Sequence, residues 1–379
     1  MKRFDIPVVV GRPYLPDIED FFLACREIWG MRMLTNNGPK LCRFHAALAG
    51  YLGIGERNLA LFGNGTVALE AGLRVLGVEG GEVITTPFSF VGTAHAIVRA
   101  GARPVFADVD ARTLCLDPKL CERLIRPGVT KAIVPVHIYG FPCDVDGFAE
   151  LGRRYCVKIV YDAAHSFGEE LRGRPLVTFG DMSMVSFHPT KVFHTCEGGL
   201  LTFRDSSLQQ CVFDQRNFGI RSETECASVG GNGKMNEFQA LMGLKCLEVV
   251  DDLLSYRKDI HDVYAEAFAG RSGIRFLSPN RLGEREFRPN YSYCPVMFGD
   301  FETRERIYHQ LKERCNIYAR RYFYPLITDH LPYASGRGTC PIAEDAARRI
   351  LTLPTFHGLD ADSAQAVAQD VLELLEECT

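Results

Sequence analysis

Two residues of opposite charge, Asp162 and Lys191, each follow a short apolar run that predicts a β-strand. In α/β sheets, ligands collect just beyond the carboxyl ends of the strands. An acid and an amine at such an edge suit pyridoxal 5′-phosphate (PLP). The amine forms a Schiff base with the aldehyde, and the carboxylate pairs with the protonated pyridine nitrogen. The alternative is that both residues are solvated surface charges.

A second chemical signal is a glycine-rich turn between a strand over 59–62 and a helix that runs to Gly77. Free backbone N–H groups and the positive end of the helix dipole meet at such a turn, and together they bind phosphate. The turn is neither a Walker A loop nor G-x-G-x-x-G, so neither a nucleoside triphosphate nor a dinucleotide is implied. The alternative is that Asn64 and Thr66 only cap the helix.

The elements that would position these residues alternate regularly. From residue 82 to residue 164, nearly continuous apolar runs alternate with amphipathic helical patterns. This alternation predicts an α/β fold whose large domain has a mainly parallel, mixed sheet covered by helices on both faces. Two amphipathic helices, over 18–29 and 39–52, precede the alternation, and a helix from about Asn236 leads out of it.

The rest of the chain reads as a smaller unit. Helices are predicted over 253–269 and 361–376, and strands over 291–297 and 317–322. We expect a large domain at 1–250, which includes the N-terminal helices, and a small C-terminal α+β domain at 251–379.

Composition narrows the class of protein. The 379 residues are 46% hydrophobic and 24% charged, with a net charge of −4, so a nucleic-acid partner is not expected. The fourteen cysteines include no C-x-x-C pair, which argues against a zinc ribbon or a disulfide framework; we expect reduced thiols and no metal. The chain begins without the apolar core of a signal peptide, and no apolar run approaches the length of a membrane span. A cytoplasmic protein without a membrane partner is the expectation.

Six blocks, taken together and in order, carry a resemblance to a known family. They are NGTVALEAGL, TTPFSFVGTAHAI, GARPVFADVD, YDAAHSFG, SFHPTKVFHTCEGG and GGNGKMNEFQA. They resemble the DegT/DnrJ/EryC1/StrS aminotransferases, PLP enzymes of fold type I that aminate nucleotide-linked keto-sugars. RRYFYPL at 320–326 and LPTF at 353–356 add weaker support.

The resemblance implies roles for individual residues. Lys191 would be the Schiff-base lysine and the acid/base of proton transfer, and Asp162 would hold the pyridinium proton. Phe90 would stack on the ring, although without the family it could be an ordinary core phenylalanine. Most members have Gln where this chain has His165, and the histidine can still donate to the ring hydroxyl. The phosphate would be bound by Gly65, Thr66 and Ser186.

The resemblance also implies a homodimer with shared active sites. Asn232 aligns with a residue that reaches the phosphate in the neighbouring subunit. The alternative is that Asn232 only forms part of a Gly-Asn-Gly turn before a helix. In this family the nucleotide's pyrophosphate lies between subunits. Charge and position therefore make Lys234, Arg320 and Arg321 candidates for substrate binding, with ordinary solvated charges as the alternative.

The resemblance is strongest to enzymes that transfer the amino group of L-glutamate to C4 of dTDP-4-dehydro-6-deoxyglucose. The product, dTDP-4-amino-4,6-dideoxyglucose, would serve a cell-surface polysaccharide such as O-antigen, or a secondary metabolite. Relatives that aminate C3 of dTDP-3-keto-6-deoxyhexoses share several blocks, so C3 is the main alternative. A non-catalytic PLP-binding regulatory protein is a further one. Some relatives are dehydratases with histidine in place of the lysine, and Lys191 argues against that reaction.

Overall fold

The alternation of strands and helices builds one large sheet with helices on both faces. The computed structural model describes residues 4–279 and 286–378. Its strands, in chain order, are β1 (Val8–Val9), β2 (Leu59–Phe62), β3 (Glu82–Thr85), β4 (Arg103–Phe106), β5 (Thr130–Val134), β6 (Lys158–Asp162), β7 (Glu170–Leu171), β8 (Arg174–Pro175), β9 (Met182–Ser186), β10 (Gly199–Phe203), β11 (Ile274–Phe276), β12 (Phe287–Arg288), β13 (Cys294–Phe298), β14 (Ile317–Tyr318) and β15 (Ile350–Leu353).

Helices separate most of these strands. They are α1 (Ile18–Met31), α2 (Pro39–Tyr51), α3 (Gly65–Val75), α4 (Gly92–Arg99), α5 (Pro118–Glu122), α6 (Val145–Tyr155), α7 (Gln209–Arg216), α8 (Glu237–Leu247), α9 (Val250–Ala267), α10 (Phe301–Gln310), α11 (Pro341–Arg349) and α12 (Ala361–Glu376). Among the described residues, no helix combines the length and the apolar composition needed to cross a bilayer.

The large sheet has the strand order β2-β10-β9-β6-β5-β3-β4. β10 runs antiparallel to β2 and β9, and the other neighbouring strands pair in parallel. The mainly parallel, mixed α/β sheet predicted from the sequence is therefore confirmed. Because the carboxyl ends of parallel strands share one edge, the last residues of β6 and β9, Asp162 and Ser186, lie at the same edge of the sheet.

Side chains along each strand alternate between two cores. Leu61 of β2 belongs to a cluster with residues of α2 and α8, whereas its neighbour Phe62 belongs to a cluster with residues of α3 and α4. Both side chains are fully buried. Successive residues of a strand point to opposite faces, so helices cover both faces of the sheet.

The C-terminal region adds smaller sheets. β11, β13 and β15 form an antiparallel sheet that packs against α9 and α12. β1, from the other end of the chain, pairs in parallel with β14. β12 pairs with the short hairpin of β7 and β8. One core cluster contains both Tyr161 of β6 and Tyr293, which precedes β13, so the C-terminal region packs directly on the large sheet.

Some sequence predictions differ from the structure in the C-terminal region. The strand predicted over 291–297 begins at Cys294, because the side chains of Asn290 and Ser292 bond to the carbonyl of His165. The strand predicted over 317–322 ends at Tyr318, and Arg320 makes only an isolated bridge with Thr352. The domain boundary at residue 250 stays a prediction; α9 begins there, and β1 lies with the C-terminal sheets.

Candidate active site

A cavity of about 640 Å³ opens at the carboxyl edge of the large sheet. Asp162 and Lys191 both line it, so the structure brings together the two residues whose charge and position first indicated chemistry. The turn before α3, the loops after β3, β5, β6 and β9, and the C-terminal region supply the remaining walls. The other predicted cofactor residues that line the cavity are Gly65, Thr66, Phe90, His165 and Ser186.

Asp162 is a buried carboxylate that faces this cavity, with an exposed fraction of 4%. The hydroxyl of Thr93 donates to its Oδ2 at 2.7 Å, and the backbone N–H of Ala164 donates to its Oδ1 at 3.1 Å. Burial raises the pKa of Asp162, while these two hydrogen bonds and the charge of Lys191 act in the lowering direction. A cation placed against this carboxylate would favour its ionised form. The protonated ring nitrogen of PLP is such a cation.

Lys191 lies in the turn after β9, where its backbone N–H donates to the carbonyl of His188 at 2.9 Å. Its half-buried side chain reaches into the cavity, and Nζ donates a hydrogen bond to the hydroxyl of Tyr293 at 3.0 Å. The lysine amine and the Asp162 carboxylate thus approach one volume from neighbouring strands. That is the arrangement that a pyridoxal ring between them requires.

His165 is held in one tautomer. The backbone N–H of Tyr139 donates to its Nδ1 at 3.1 Å, so the neutral ring carries its proton on Nε2. Burial lowers the pKa of His165 well below its usual range, and the charge of Lys191 acts in the same direction. The ring stacks on Phe323 with centroids 6.1 Å apart. A neutral Nε2–H that borders the cavity can donate to an oxygen on a bound ring.

The glycine-rich turn forms the phosphate end of the cavity. Asn64 is the N-cap of α3, and its side chain accepts a hydrogen bond from Val67 N–H at 2.9 Å. The capping alternative therefore holds for Asn64. Gly65 and Thr66 are the first two residues of α3, where N–H groups have no carbonyl one turn earlier, and both line the cavity. The hydroxyl of Ser186 borders the same end.

β10 passes unusually close to this turn. A Cβ at Gly199 would lie 2.6 Å from the backbone C and O of Asn64 and 2.7 Å from Gly65 N. These are backbone atoms, which cannot move aside as a flexible side chain can. The glycine at the start of β10 is thus required for the position of the helix N-terminus.

We expect Gly199→Ala to weaken PLP binding by about tenfold or more and to lower the melting temperature, because overpacking of this kind costs about 1–3 kcal/mol. Gly50→Ala is the matched control, since a Cβ at Gly50 in α2 would have no atom within 4 Å. PLP titration of the apoprotein and thermal melts measure both effects. Wild-type affinity in Gly199→Ala would show that the turn tolerates displacement.

Three of the predicted residues lie at the edge of the site or outside it. Phe90 lines the rim of the cavity and is 64% exposed, so it is not a core phenylalanine. Asn232 is exposed, makes an isolated bridge with Asn217, and does not line the cavity of its own chain. Lys234 also lies outside that cavity, with its ammonium 4.8 Å from the ring centroid of Phe218. Neither Asn232 nor Lys234 therefore forms part of the cavity wall in its own chain.

Arg320 and Arg321 line a second cavity of about 300 Å³ that shares four lining residues with the first. The guanidinium of Arg321 lies 3.7 Å from the ring centroid of Tyr308 and donates to Glu305 at 2.7 Å. Arg320 is exposed. The structure therefore places both arginines beside the candidate active site. The residues common to the two cavities are Ser89, Phe90, Tyr322 and Phe323.

Sequence reasoning missed two residues that contact the central pair, Thr93 and Tyr293. Thr93 lies three residues after Phe90 in the quoted block TTPFSFVGTAHAI, and its place in the first turn of α4 was the available signal. Tyr293 lies in a segment whose pattern indicated only a strand, and nothing in the sequence separates it from a core tyrosine. Among the described residues, no group of three or more His, Cys, Asp or Glu side chains is arranged to hold a metal ion.

Comparisons with known proteins identify the family of this chain. Residues 17–372 match the DegT/DnrJ/EryC1/StrS aminotransferase family. The dTDP-4-amino-4,6-dideoxy-D-glucose transaminase of Shigella dysenteriae is 39% identical over 372 residues, which cover 97% of this chain and 99% of that protein. The crystal structure of DesI in the presence of its TDP-sugar product superposes with a TM-score of 0.90 at 30% identity and covers 100% of this chain and 95% of that one. The PLP form of the putative sugar aminotransferase Spr1654 from Streptococcus pneumoniae gives 0.89 at 25% identity, covering 99% and 100%.

Proposed function

The chain belongs to the DegT/DnrJ/EryC1/StrS aminotransferase family, and on that premise we propose that it moves an amino group from L-glutamate to C4 of a dTDP-linked 4-keto-6-deoxyhexose. It is a PLP-dependent aminotransferase of fold type I. The proposed product is dTDP-4-amino-4,6-dideoxyglucose. The name of the Shigella relative, which matches nearly the whole chain, supports both the sugar and the position of the amino group.

The observation that carries the proposal is the convergence of three separate elements on one cavity. The carboxylate at the end of β6, the amine after β9 and the glycine turn before α3 provide partners for the ring nitrogen, the aldehyde and the phosphate of PLP. Because Nδ1 of His165 accepts a hydrogen bond from the backbone N–H of Tyr139, its Nε2–H can donate to the ring hydroxyl of PLP. This donor set fits PLP.

PLP, when bound, supplies a ring that withdraws the electron pair left on carbon when a proton is removed. We propose that the Lys191 amine takes the proton from Cα of glutamate and gives a proton to C4 of the sugar in the reverse half of the cycle. The Asp162 carboxylate, fixed by Thr93 and Ala164, keeps the ring nitrogen protonated. Gly65, Thr66 and Ser186 would bind the phosphate, and Phe90, at the rim of the cavity, would cover the ring.

The connected second cavity supports an assignment for the acceptor. The two cavities share four lining residues, so a nucleotide sugar whose reacting carbon lies in the first cavity would have room to extend into the second. Arg320 and Arg321 are the cations there, and they suit the diphosphate. Lys234 would add charge from a neighbouring subunit. Exposed cations of this kind bind anions in a salt-dependent way.

The direct test is a reaction of the purified protein with PLP, L-glutamate and dTDP-4-dehydro-6-deoxyglucose. We expect 2-oxoglutarate and an amino sugar nucleotide in equal amounts, with nitrogen at C4 by NMR. A parallel reaction contains a dTDP-3-keto-6-deoxyhexose. Amination of that sugar with none at C4 would overturn the proposed regiochemistry, and failure of both reactions would overturn the proposed acceptor class.

We also propose that the active site is completed in a homodimer. Asn232 follows a segment that exposes several apolar side chains, namely Phe218, Ile220 and Val229. An exposed apolar patch of this kind marks an interaction surface. Because the patch and Asn232 lie on the same segment, a second chain that covers the patch could receive Asn232 at its phosphate site.

The fourteen cysteines all lie in described residues and form no disulfide, which supports the cytoplasm as the compartment.

Asn232→Ala should weaken PLP retention by roughly 10- to 100-fold, because one hydrogen bond to a charged group contributes about 1.5–3 kcal/mol. Dimers that combine a Lys191→Ala subunit with an Asn232→Ala subunit measure whether the contact crosses the interface. If it crosses, one site of the mixed dimer carries both defects and the other carries neither. Activity and tight PLP binding should then return in about half of the sites.

The matched control places both substitutions on one subunit and pairs it with a wild-type subunit. A crossing contact then gives each site one defect, so no site should combine activity with tight PLP binding. Recovery in this arrangement, with none in the first, would put Asn232 in the site of its own subunit.

A further inference from the structure

One contact at the site involves a residue that none of the quoted blocks contains. Lys191 Nζ lies 3.0 Å from the hydroxyl oxygen of Tyr293, which precedes β13 and is distant in sequence. Tyr293 is 6% exposed and lines the first cavity. Within residues 4–279 and 286–378, Lys191 is the hydrogen-bond partner that the structure gives to this hydroxyl.

The position of the Tyr293 hydroxyl is fixed by its backbone. The side-chain amide of Asn290, fully buried, donates to the carbonyls of His165 and Phe167 at 2.6 and 2.9 Å. Ser292 Oγ donates to the carbonyl of His165 at 3.3 Å, and Ser292 N–H donates to Asn290 Oδ1 at 3.0 Å. These bonds fasten the segment before β13 to the loop that carries His165.

Aromatic neighbours fix the ring itself. The ring of His165 lies 4.7 Å from that of Tyr293, and the rings of Tyr139 and Tyr322 lie at 5.9 and 6.0 Å. A ring enclosed on several sides has few rotamers available. The hydroxyl of Tyr293 therefore has one position, beside the Lys191 amine and next to His165, which lines the cavity.

A phenol at this point can serve the amine in either protonation state. It accepts a hydrogen bond from a protonated amine through oxygen, and it donates its own hydrogen to the lone pair of a neutral amine. The two heavy atoms need not move between these arrangements. An amine that takes up and releases a proton in each half-reaction thus keeps a partner throughout.

We propose that Tyr293 positions Lys191 during proton transfer, by holding the free amine against the reacting carbon in both its neutral and its protonated form. Lysine has four rotatable bonds, and an unheld amine would sample many positions away from that carbon. This role rests on the proposed transamination. It uses only the contact between Lys191 and Tyr293 and the bonds that fasten the Tyr293 segment.

The test is Tyr293→Phe, which removes one oxygen and keeps the ring. We expect kcat for the glutamate half-reaction to fall about tenfold or more, with KM changed less than threefold, because ordered acid–base groups contribute factors of this size. The primary isotope effect with Cα-deuterated glutamate should rise, since proton transfer becomes slower than the other steps. The apoprotein should also form its visible lysine-bound PLP band at least several-fold more slowly, because the same amine attacks the aldehyde.

Tyr264→Phe is the matched control. Like Tyr293→Phe, it removes a buried tyrosine hydroxyl. The Tyr264 hydroxyl donates to the carbonyl of Pro354 at 2.9 Å, and Tyr264 does not line the cavity. Its isotope effect and its rate of PLP uptake should equal those of the wild type, even if its melting temperature falls. A role of Tyr293 limited to packing would make the two variants alike.

The two proposals fail differently. If the wild type does not react with glutamate, the proposed donor is wrong, and the rate of PLP uptake still decides the role of Tyr293. Slower uptake in Tyr293→Phe than in Tyr264→Phe supports the positioning role. Equal uptake rates, or equal isotope effects in a wild type that does react, overturn it.

Discussion

Lys191→Ala is expected to lower transamination by at least about a thousandfold, while the protein folds normally and still binds PLP. In the proposed mechanism the amine is both the covalent partner of the aldehyde and the group that moves the proton, so both contributions should disappear together. Asp162, His165 and the turn before α3 remain, and these are the residues proposed to hold the ring and the phosphate. Bound PLP should therefore lack the visible band of the lysine-bound form but resist dialysis for hours.

Absorption spectra, PLP content and the release of 2-oxoglutarate check this expectation. Lys119→Ala is a suitable control, because Lys119 is exposed on α5 and does not line the cavity. Addition of a small primary amine to Lys191→Ala should restore part of the proton transfer. Turnover at the wild-type rate without added amine would remove Lys191 from the reaction.

Asp162→Asn is expected to slow the glutamate half-reaction by orders of magnitude, with little change in the fold. Asparagine has nearly the shape of aspartate but no charge, so the ring nitrogen loses the anion that keeps it protonated. Thr93 and Ala164 still offer hydrogen bonds to the side chain. Single-turnover kinetics with glutamate measure the loss. Rates within threefold of the wild type would show that the Asp162 charge is not used.

Thr93→Val tests the orientation of the Asp162 carboxylate separately from its charge. It removes the hydroxyl that donates to Asp162 Oδ2 and keeps the carboxylate. Loss of one hydrogen bond to a charged group corresponds to roughly a tenfold or larger effect, far below that of Asp162→Asn. Equal losses in the two variants would point to a general collapse of the cavity.

The melting temperature of the apoprotein tests the burial of the Asp162 carboxylate without an activity assay. Burial raises its pKa in the folded state above the unfolded value, so ionisation costs folding free energy as the pH rises through the folded pKa. Apo Asp162→Asn lacks this cost and should melt at the same temperature as the wild type or higher, with a difference that grows up to the folded pKa of Asp162 and is constant at higher pH. Melts between pH 4 and pH 9 follow the trend, and PLP should reverse it by pairing with the wild-type carboxylate.

Sequence predicted the sheet and its carboxyl edge well, because parallel strands buried on both faces leave continuous apolar runs. The strand predicted over 59–62 matches β2, and the helix predicted over 361–376 matches α12. Asp162 is the last residue of β6, and Lys191 lies five residues after the end of β9. Two groups at one edge can thus be predicted without knowing a single contact.

Contacts between distant segments could not be predicted in this way. The Tyr293 hydroxyl meets Lys191 only because Asn290 and Ser292 fasten their segment to the loop after β6, and amide-to-carbonyl bonds leave no periodic pattern in a sequence. The contacts of two candidate substrate-binding residues could not be predicted from charge either. Arg321 lies in a stack and an ion pair, and Lys234 lies over an aromatic ring outside the cavity.

The pairing of β1 with β14 has a consequence for synthesis on the ribosome. Val8 lies beside Ile317, so the first strand has no partner until more than three hundred further residues have been translated. At about 5–20 residues per second, the wait is roughly 15 to 60 seconds. Tyr293 and Phe323, which close the cavity, also emerge late. A nascent chain should therefore become able to retain PLP only after residues 293 and 323 have been translated and have packed on the large sheet.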